Sequence, residues 1–203
     1  MTTIGVAIGT YGAIKWARLA KTRALPSAHA QTSPADQVVH MHRATLQEAR
    51  NKAVAQLTSE WVCVLDADDE LDPGYLAAMR EEMDRGLPAL ALLVPAAQYV
   101  HPSGECEPAA IPNAVPRRPL YETNTAVIGT LVRRELFDQV GGFGPWPILE
   151  DWELWLRCVD AGAVMVEVPQ AIYRVHMSAD GRGHARTDPY QETYWQIRSQ
   201  YEG

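Results

Sequence analysis

The chain has 203 residues, enough for one large domain with a real core. An apolar fraction of 47% and a charged fraction of 21% are those of a globular protein, and a net charge of -7 excludes the basic face of a general nucleic-acid binder. Cys63, Cys106 and Cys158 form no CxxC pair, the first twelve residues lack a basic leader, and no apolar run is long enough to span a bilayer, so a reduced, cytoplasmic protein is expected.

Thr3 to Ile8 is an apolar strand, and Gly9-Thr10-Tyr11-Gly12 is its turn. A short helix follows over Ile14 to Thr22. Ala24 to Ala30 and Gln37 to Met41 read as two further strands joined by a turn at Gln31 to Ala35. Thr45 and Glu48 have the spacing of a capping box and open a helix with Leu46, Ala49, Ala53, Val54 and Leu57 on its apolar side.

The next strand, Trp61 to Leu65, runs directly into Asp66-Ala67-Asp68-Asp69. Open α/β sheets bind ligands outside the carboxyl ends of their strands. Asp66 and Asp68, one residue apart at such an end, can share a hard divalent cation or divide it with a ribose hydroxyl. Asp72 and Pro73 read as the cap and first residue of a helix that Gly86 stops. Ala89 to Val100 holds another buried strand, and five prolines between 101 and 120 make that stretch a loop or irregular hairpin.

In the second half, Trp152, Trp155, Leu156 and Val159 follow helical spacing and read as packing residues. Glu150 and Asp151 open that helix, where the dipole favours ionised carboxylates; an ionised carboxylate in a cleft is what a general base requires. Val164 to Val168 is a strand, Ile172 to His176 leads onward, 177–187 is a polar loop, and Asp188-Pro189 begins a last helix whose tyrosines dock onto the domain. His40 and His42 alternate at a strand end without a nearby acid, which favours a structural role.

Together these segments resemble the family 2 glycosyltransferases, which have the GT-A fold and use nucleotide-sugar donors. The resemblance covers about residues 3–176 and rests on six segments: Val6 to Tyr11, Ala49-Arg50-Asn51, Val62 to Asp69, Thr130 to Phe143, Glu150 to Arg157, and Tyr173-Arg174-Val175-His176. It implies a single α/β domain of Rossmann-like GT-A type with a mostly parallel sheet, shortened in its early half. Residues 1–72 would be the donor and metal half, 73–187 the acceptor side with the base, and 188–203 a terminal helix.

The resemblance further implies metal-dependent sugar transfer, with inversion, from a donor such as a UDP-sugar to the hydroxyl of a glycan, protein or small molecule. Asp68 and His176 would hold Mn²⁺ or Mg²⁺, Asp66 would bind ribose, and Asp151 would be the base. Thr10 and Tyr11 would lie along the nucleotide, with Tyr11 on its base, and Arg50 would pair with phosphate, as Arg182 or Arg186 would. The family's acidic turn after its second strand is absent. Ala30-Gln31-Thr32-Ser33 is expected in its place, with the Gln31 amide on the base edge. A nucleotidyltransferase and a catalytically silent binding domain of the same fold remain as alternatives.

Overall fold

In the computed structural model, which describes residues 2–112, 119–177 and 188–201, one seven-stranded sheet runs through the molecule with helices against it. The elements are β1 (Ile4–Tyr11), α1 (Ile14–Thr22), α2 (Ala24–His29), β2 (Gln37–Arg43), α3 (Leu46–Ala55), β3 (Trp61–Leu65) and β4 (Glu70–Leu71). Then follow α4 (Tyr75–Asp84), β5 (Ala91–Val100), β6 (Leu131–Arg133), α5 (Arg134–Gln139), α6 (Glu150–Asp160), β7 (Val164–His176) and α7 (Asp188–Arg198).

The strand order is β2-β1-β3-β6-β5-β7-β4. The pairs β1–β2, β1–β3 and β5–β7 are parallel, whereas β3–β6, β5–β6 and β4–β7 are antiparallel. The sheet is therefore mixed rather than mostly parallel. β1 and β3 are covered on both faces and read as unbroken apolar runs for that reason.

Ala24–His29 is a helix, where a strand over Ala24 to Ala30 was expected. Ala24 and Ala28, one turn apart, are both buried, and Pro26 lies in the first turn, where its missing N–H costs nothing. The second strand is accordingly β2, and the turn after it is Arg43-Ala44-Thr45 rather than Ala30 to Ser33. Val164 to Val168 and Ile172 to His176 are one strand. Its partner register jumps from Pro95↔Val168 to Ala96↔Ile172, so the intervening residues bulge opposite a proline that has no N–H to pair.

Two local devices position the site. Thr45 Oγ1 accepts from the Glu48 N–H at 3.2 Å and starts α3. Gly9 lets that helix lie against β1, since a Cβ there would stand 2.7 Å from Arg50 Cγ and 2.9 Å from its backbone nitrogen. Asp72 does not cap a helix begun by Pro73. Its Oδ1 accepts from the Gly74 N–H, Oδ2 pairs with Arg174 at 2.6 Å, and α4 begins at Tyr75.

α7 packs against α6 beside the site. Ile197 is fully buried with Trp152 and Leu156, and Tyr194 stacks on Trp152 at 5.1 Å. Val159, by contrast, is 38% exposed and falls outside the buried stripe of α6.

Candidate active site

The carboxyl end of β3 opens into a cavity of about 620 Å³. β3 delivers Asp66, Asp68 and Asp69 to it, α3 delivers Arg50, the start of α6 delivers Glu150 and Asp151, and the end of β7 delivers His176. Asp66, Asp68 and Asp69 each offer an oxygen within 4.8 Å of the others.

Tyr173 ties two of these acids together. Its hydroxyl oxygen accepts from the Asp66 N–H at 3.1 Å and its O–H donates to the Asp69 carboxylate. Asp69 is buried and also accepts from the His176 N–H at 2.9 Å. Burial, followed by the charges of Asp66 and Asp68, pushes its pKa well above the usual carboxylate range. An all-oxygen set whose members repel one another suits Mg²⁺ or Mn²⁺, which would relieve the repulsion.

Arg50 underlies the acidic floor. It is 1% exposed, its Nη2 meets Asp66 Oδ1 at 2.5 Å, its Nη1 meets Glu150 Oε1 at 2.7 Å, and its guanidinium lies 5.1 Å from the Phe143 ring. Burial disfavours its charge, but Asp66 and Glu150 outweigh burial and hold its pKa above the ordinary value. Both terminal nitrogens are thus committed to carboxylates. Arg50 joins β3 to α6, and a phosphate-binding role does not follow from its position.

Asp151 sits at the first turn of α6, after Leu149, which has a φ of 60°. A non-glycine residue in that left-handed region is strained, and such strain concentrates at functional positions. Asp151 Oδ1 accepts from the Trp152 N–H at 2.7 Å, and Oδ2 accepts from Asn124 Nδ2 at 3.0 Å. The Asn124 amide is oriented by its other end, where Oδ1 accepts from the Ala126 N–H at 3.1 Å. Burial and the neighbouring Glu150 charge raise Asp151 to about 6, with Arg50 pulling the other way. A carboxylate poised there is ionised at neutral pH yet more basic than an exposed one.

Other expected residues lie elsewhere. Gln31 is buried; its Nε2 donates to the carbonyls of Asp72 at 2.8 Å and Ser27 at 3.1 Å, and its Oε1 accepts from the Leu76 N–H at 3.0 Å. Its amide braces α2 against α4 and has no edge left for a base. Thr10 Oγ1 faces His40 Nε2 at 2.9 Å and His42 Nδ1 at 3.1 Å, so those histidines serve strand pairing. Neither Thr10 nor Tyr11 lines the cavity. His176 does, but its Nε2 pairs with Glu70 Oε2 at 2.5 Å, and its ring does not join the three carboxylates. Arg182 and Arg186 lie outside the described residues.

The model of a known family, "Glycosyl transferase family 2", matches residues 20–138, more than half of the chain. The chain belongs to glycosyl transferase family 2. The matched span contains Arg50 and Asp66 to Asp69 but ends before Asp151. No curated protein sequence matches this family 2 chain. Among solved structures it is similar to S. aureus TarS residues 1–349 in complex with UDP-GlcNAc, at 15% identity and a TM-score of 0.66, covering 97% of this chain and 64% of that one. The same TarS region in complex with UDP gives 14% identity, a TM-score of 0.63, and coverage of 98% and 64%. Against a further TarS structure, this chain spans 39% of the other. At such identities the likeness establishes the fold, which is that of GT-A glycosyltransferases.

Asn124, Glu150 and Tyr173 are the site residues that the sequence did not single out for these roles. Each acts on a partner 27 to 107 positions away that the fold alone brings close, as Tyr173 does on Asp66 across 107 positions. Asp69 was visible as part of the acidic turn, but its burial was not.

Proposed function

We propose that this family 2 chain transfers a sugar from a nucleoside-diphosphate donor to an acceptor hydroxyl with inversion of configuration. The observation that carries the reading is one cavity holding both a divalent-cation set (Asp66, Asp68, Asp69) and a separate carboxylate, Asp151, raised to about 6. Pure binding has no need of the second group. The TarS structures with UDP and UDP-GlcNAc favour a UDP-sugar as the donor.

In this mechanism Asp151 accepts the proton of the acceptor hydroxyl as its oxygen attacks the anomeric carbon from the face opposite the diphosphate. The new C–O bond forms as the bond to the diphosphate oxygen breaks, and that oxygen leaves with the electron pair. Asn124 and the Trp152 N–H orient the base. Asp68, with Asp66 and Asp69, would hold Mn²⁺ or Mg²⁺, which supplies positive charge to stabilise the departing diphosphate. Asp66, at the strand end, would bind a ribose hydroxyl. Residues 1–72 form the donor half, 73–187 the acceptor side and 188–203 the closing helix, and the three unpaired thiols suit a cytoplasmic setting.

The test is release of UDP from UDP-GlcNAc with Mn²⁺ present, first with water and then with a panel of hydroxyl acceptors. Wild-type turnover that collapses in Asp151→Asn, with UDP binding intact, supports the reading. Equal turnover in the two proteins contradicts it.

A further inference from the structure

The net charge of -7 is unevenly distributed along the chain. Residues 1–43 hold five basic side chains (Lys15, Arg18, Lys21, Arg23 and Arg43) against one acid, Asp36. The rest of the chain holds thirteen basic residues against twenty-four acids. The first part is therefore positive by four and the remainder negative by eleven. Asp36 is itself paired with Arg80 at 2.8 Å.

α1 gathers this excess on one side. Ala17 and Ala20 are its buried residues, whereas Ile14, Arg18 and Lys21, spaced i, i+4 and i+7, are all exposed. Neither α1 nor α2 contains an acid. Among the described residues no carboxylate pairs with Arg18 or Lys21. The positive field reaches the free edge of the sheet, where β2 has a neighbour only on its β1 side. On β2, burial, the Lys21 charge and His42 hold His40 below its ordinary pKa, and Arg43 ends the strand.

The same face has an apolar tip. Gly12, Ala13 and Ile14 are exposed, Ile14 at 59%. Trp16 lies close by, with Lys15 Nζ 5.0 Å from its ring centroid. Aliphatic and aromatic groups set among exposed cations suit the boundary between lipid headgroups and acyl chains. There the cations meet phosphate and the apolar groups leave water. A soluble polyanion would make no use of Ile14, and the acids elsewhere in the chain would repel a long one. Those acids also turn the rest of the molecule away from a negative surface, so approach selects α1.

We infer that α1 and the adjoining edge of β2 dock this chain on an anionic lipid surface. Arg18 and Lys21 lie at the headgroups, and Ile14 enters between them. The inference stands apart from the glycosyltransferase reading and does not need it. Where both hold, transfer takes place at the membrane surface, because Lys15 and Trp16 line a cavity that also reaches Asp68.

The experiment is co-sedimentation of the whole chain with two kinds of vesicle. One is phosphatidylcholine alone, and the other is phosphatidylcholine with an equal part of phosphatidylglycerol. Wild type is compared with Arg18→Gln/Lys21→Gln and with Ile14→Ser, all three positions being exposed. Wild type should bind only the anionic vesicles and be released by salt. Loss of two charges near such a surface predicts about thirtyfold weaker binding. Ile14→Ser should bind about fivefold more weakly, because one apolar side chain no longer leaves water. Failure of wild type to bind anionic vesicles overturns the inference, as does equal binding by the double variant. Retention on heparin without binding to vesicles also overturns it and assigns the face to a soluble polyanion.

Discussion

Asp151, the proposed base, sets stability against activity. Its folded pKa of about 6 exceeds the unfolded value near 3.8, so between those pH values the native state holds a proton that the unfolded state has lost. Its contribution is therefore present at low pH and falls as pH rises from about 4 to 6, by up to about 3 kcal/mol. Asp151→Asn removes that loss, although its NH2 group would then face either the Asn124 NH2 or the Trp152 N–H, donor to donor. The expected result by urea denaturation at pH 7 is a protein more stable by about 1–2 kcal/mol and catalytically dead. Activity of the wild type should fall as pH drops through about 6, and a rate independent of pH between 5 and 7 would contradict the assignment. Arg50→Met makes the opposite case. It leaves Asp66 and Glu150 without their cation, and breaking such a buried pair costs about 3–5 kcal/mol, readable as a lower denaturation midpoint. At this scale the acids were legible from their clustering at strand and helix ends. The commitment of Arg50 and Gln31 was not, because their partners lie far away in sequence: Glu150 is 100 positions from Arg50, and Asp72 is 41 from Gln31.

At the scale of elements, the approach of α3 to β1 decides whether Arg50 reaches the floor of the site. Gly9→Ala places a Cβ against Arg50 Cγ and its backbone nitrogen, so α3 must shift or unpack. A stability loss of about 1–3 kcal/mol is expected, with weaker nucleotide binding because Asp66 loses its support. Gln31 shows the same dependence from the other side, as α2 and α4 meet through its amide. Strong signals were right for β3 and the capping box at Thr45, which stand where the apolar run and the spacing put them; β1 runs three residues past the expected end at Ile8, because Gly9, Thr10 and Tyr11 pair with β2 instead of turning. Ala24 to His29 misled because six residues carry too little periodicity to separate a helical turn from a strand. β6 and β4 are only three and two residues long, and pairing alone makes them strands.

For the whole molecule, the last helix connects stability to the site. Ile197 fills a small core with Trp152 and Leu156, the Tyr194 hydroxyl donates to the Glu122 carbonyl at 2.7 Å, and Tyr190 lines the acidic cavity. Ile197→Ala should cost about 2–4 kcal/mol and reduce activity beyond that loss, since Trp152 adjoins Asp151. Docking of this helix was readable from its aromatic spacing. The mixed sheet was not, because the direction of β6 is set by the long excursion from 101 to 130 that precedes it. The central claim is that Asp68 anchors a metal for a nucleoside-diphosphate donor while Asp151 serves only the chemistry. It is tested most directly by thermal stability of wild type, Asp68→Asn and Asp151→Asn against UDP, with and without Mn²⁺. At about a hundred times its Kd, a ligand stabilises by about 2.7 kcal/mol. The account predicts that shift in wild type and Asp151→Asn only when metal is present, and its loss in Asp68→Asn; an equal shift without metal, or one that survives in Asp68→Asn, would contradict it.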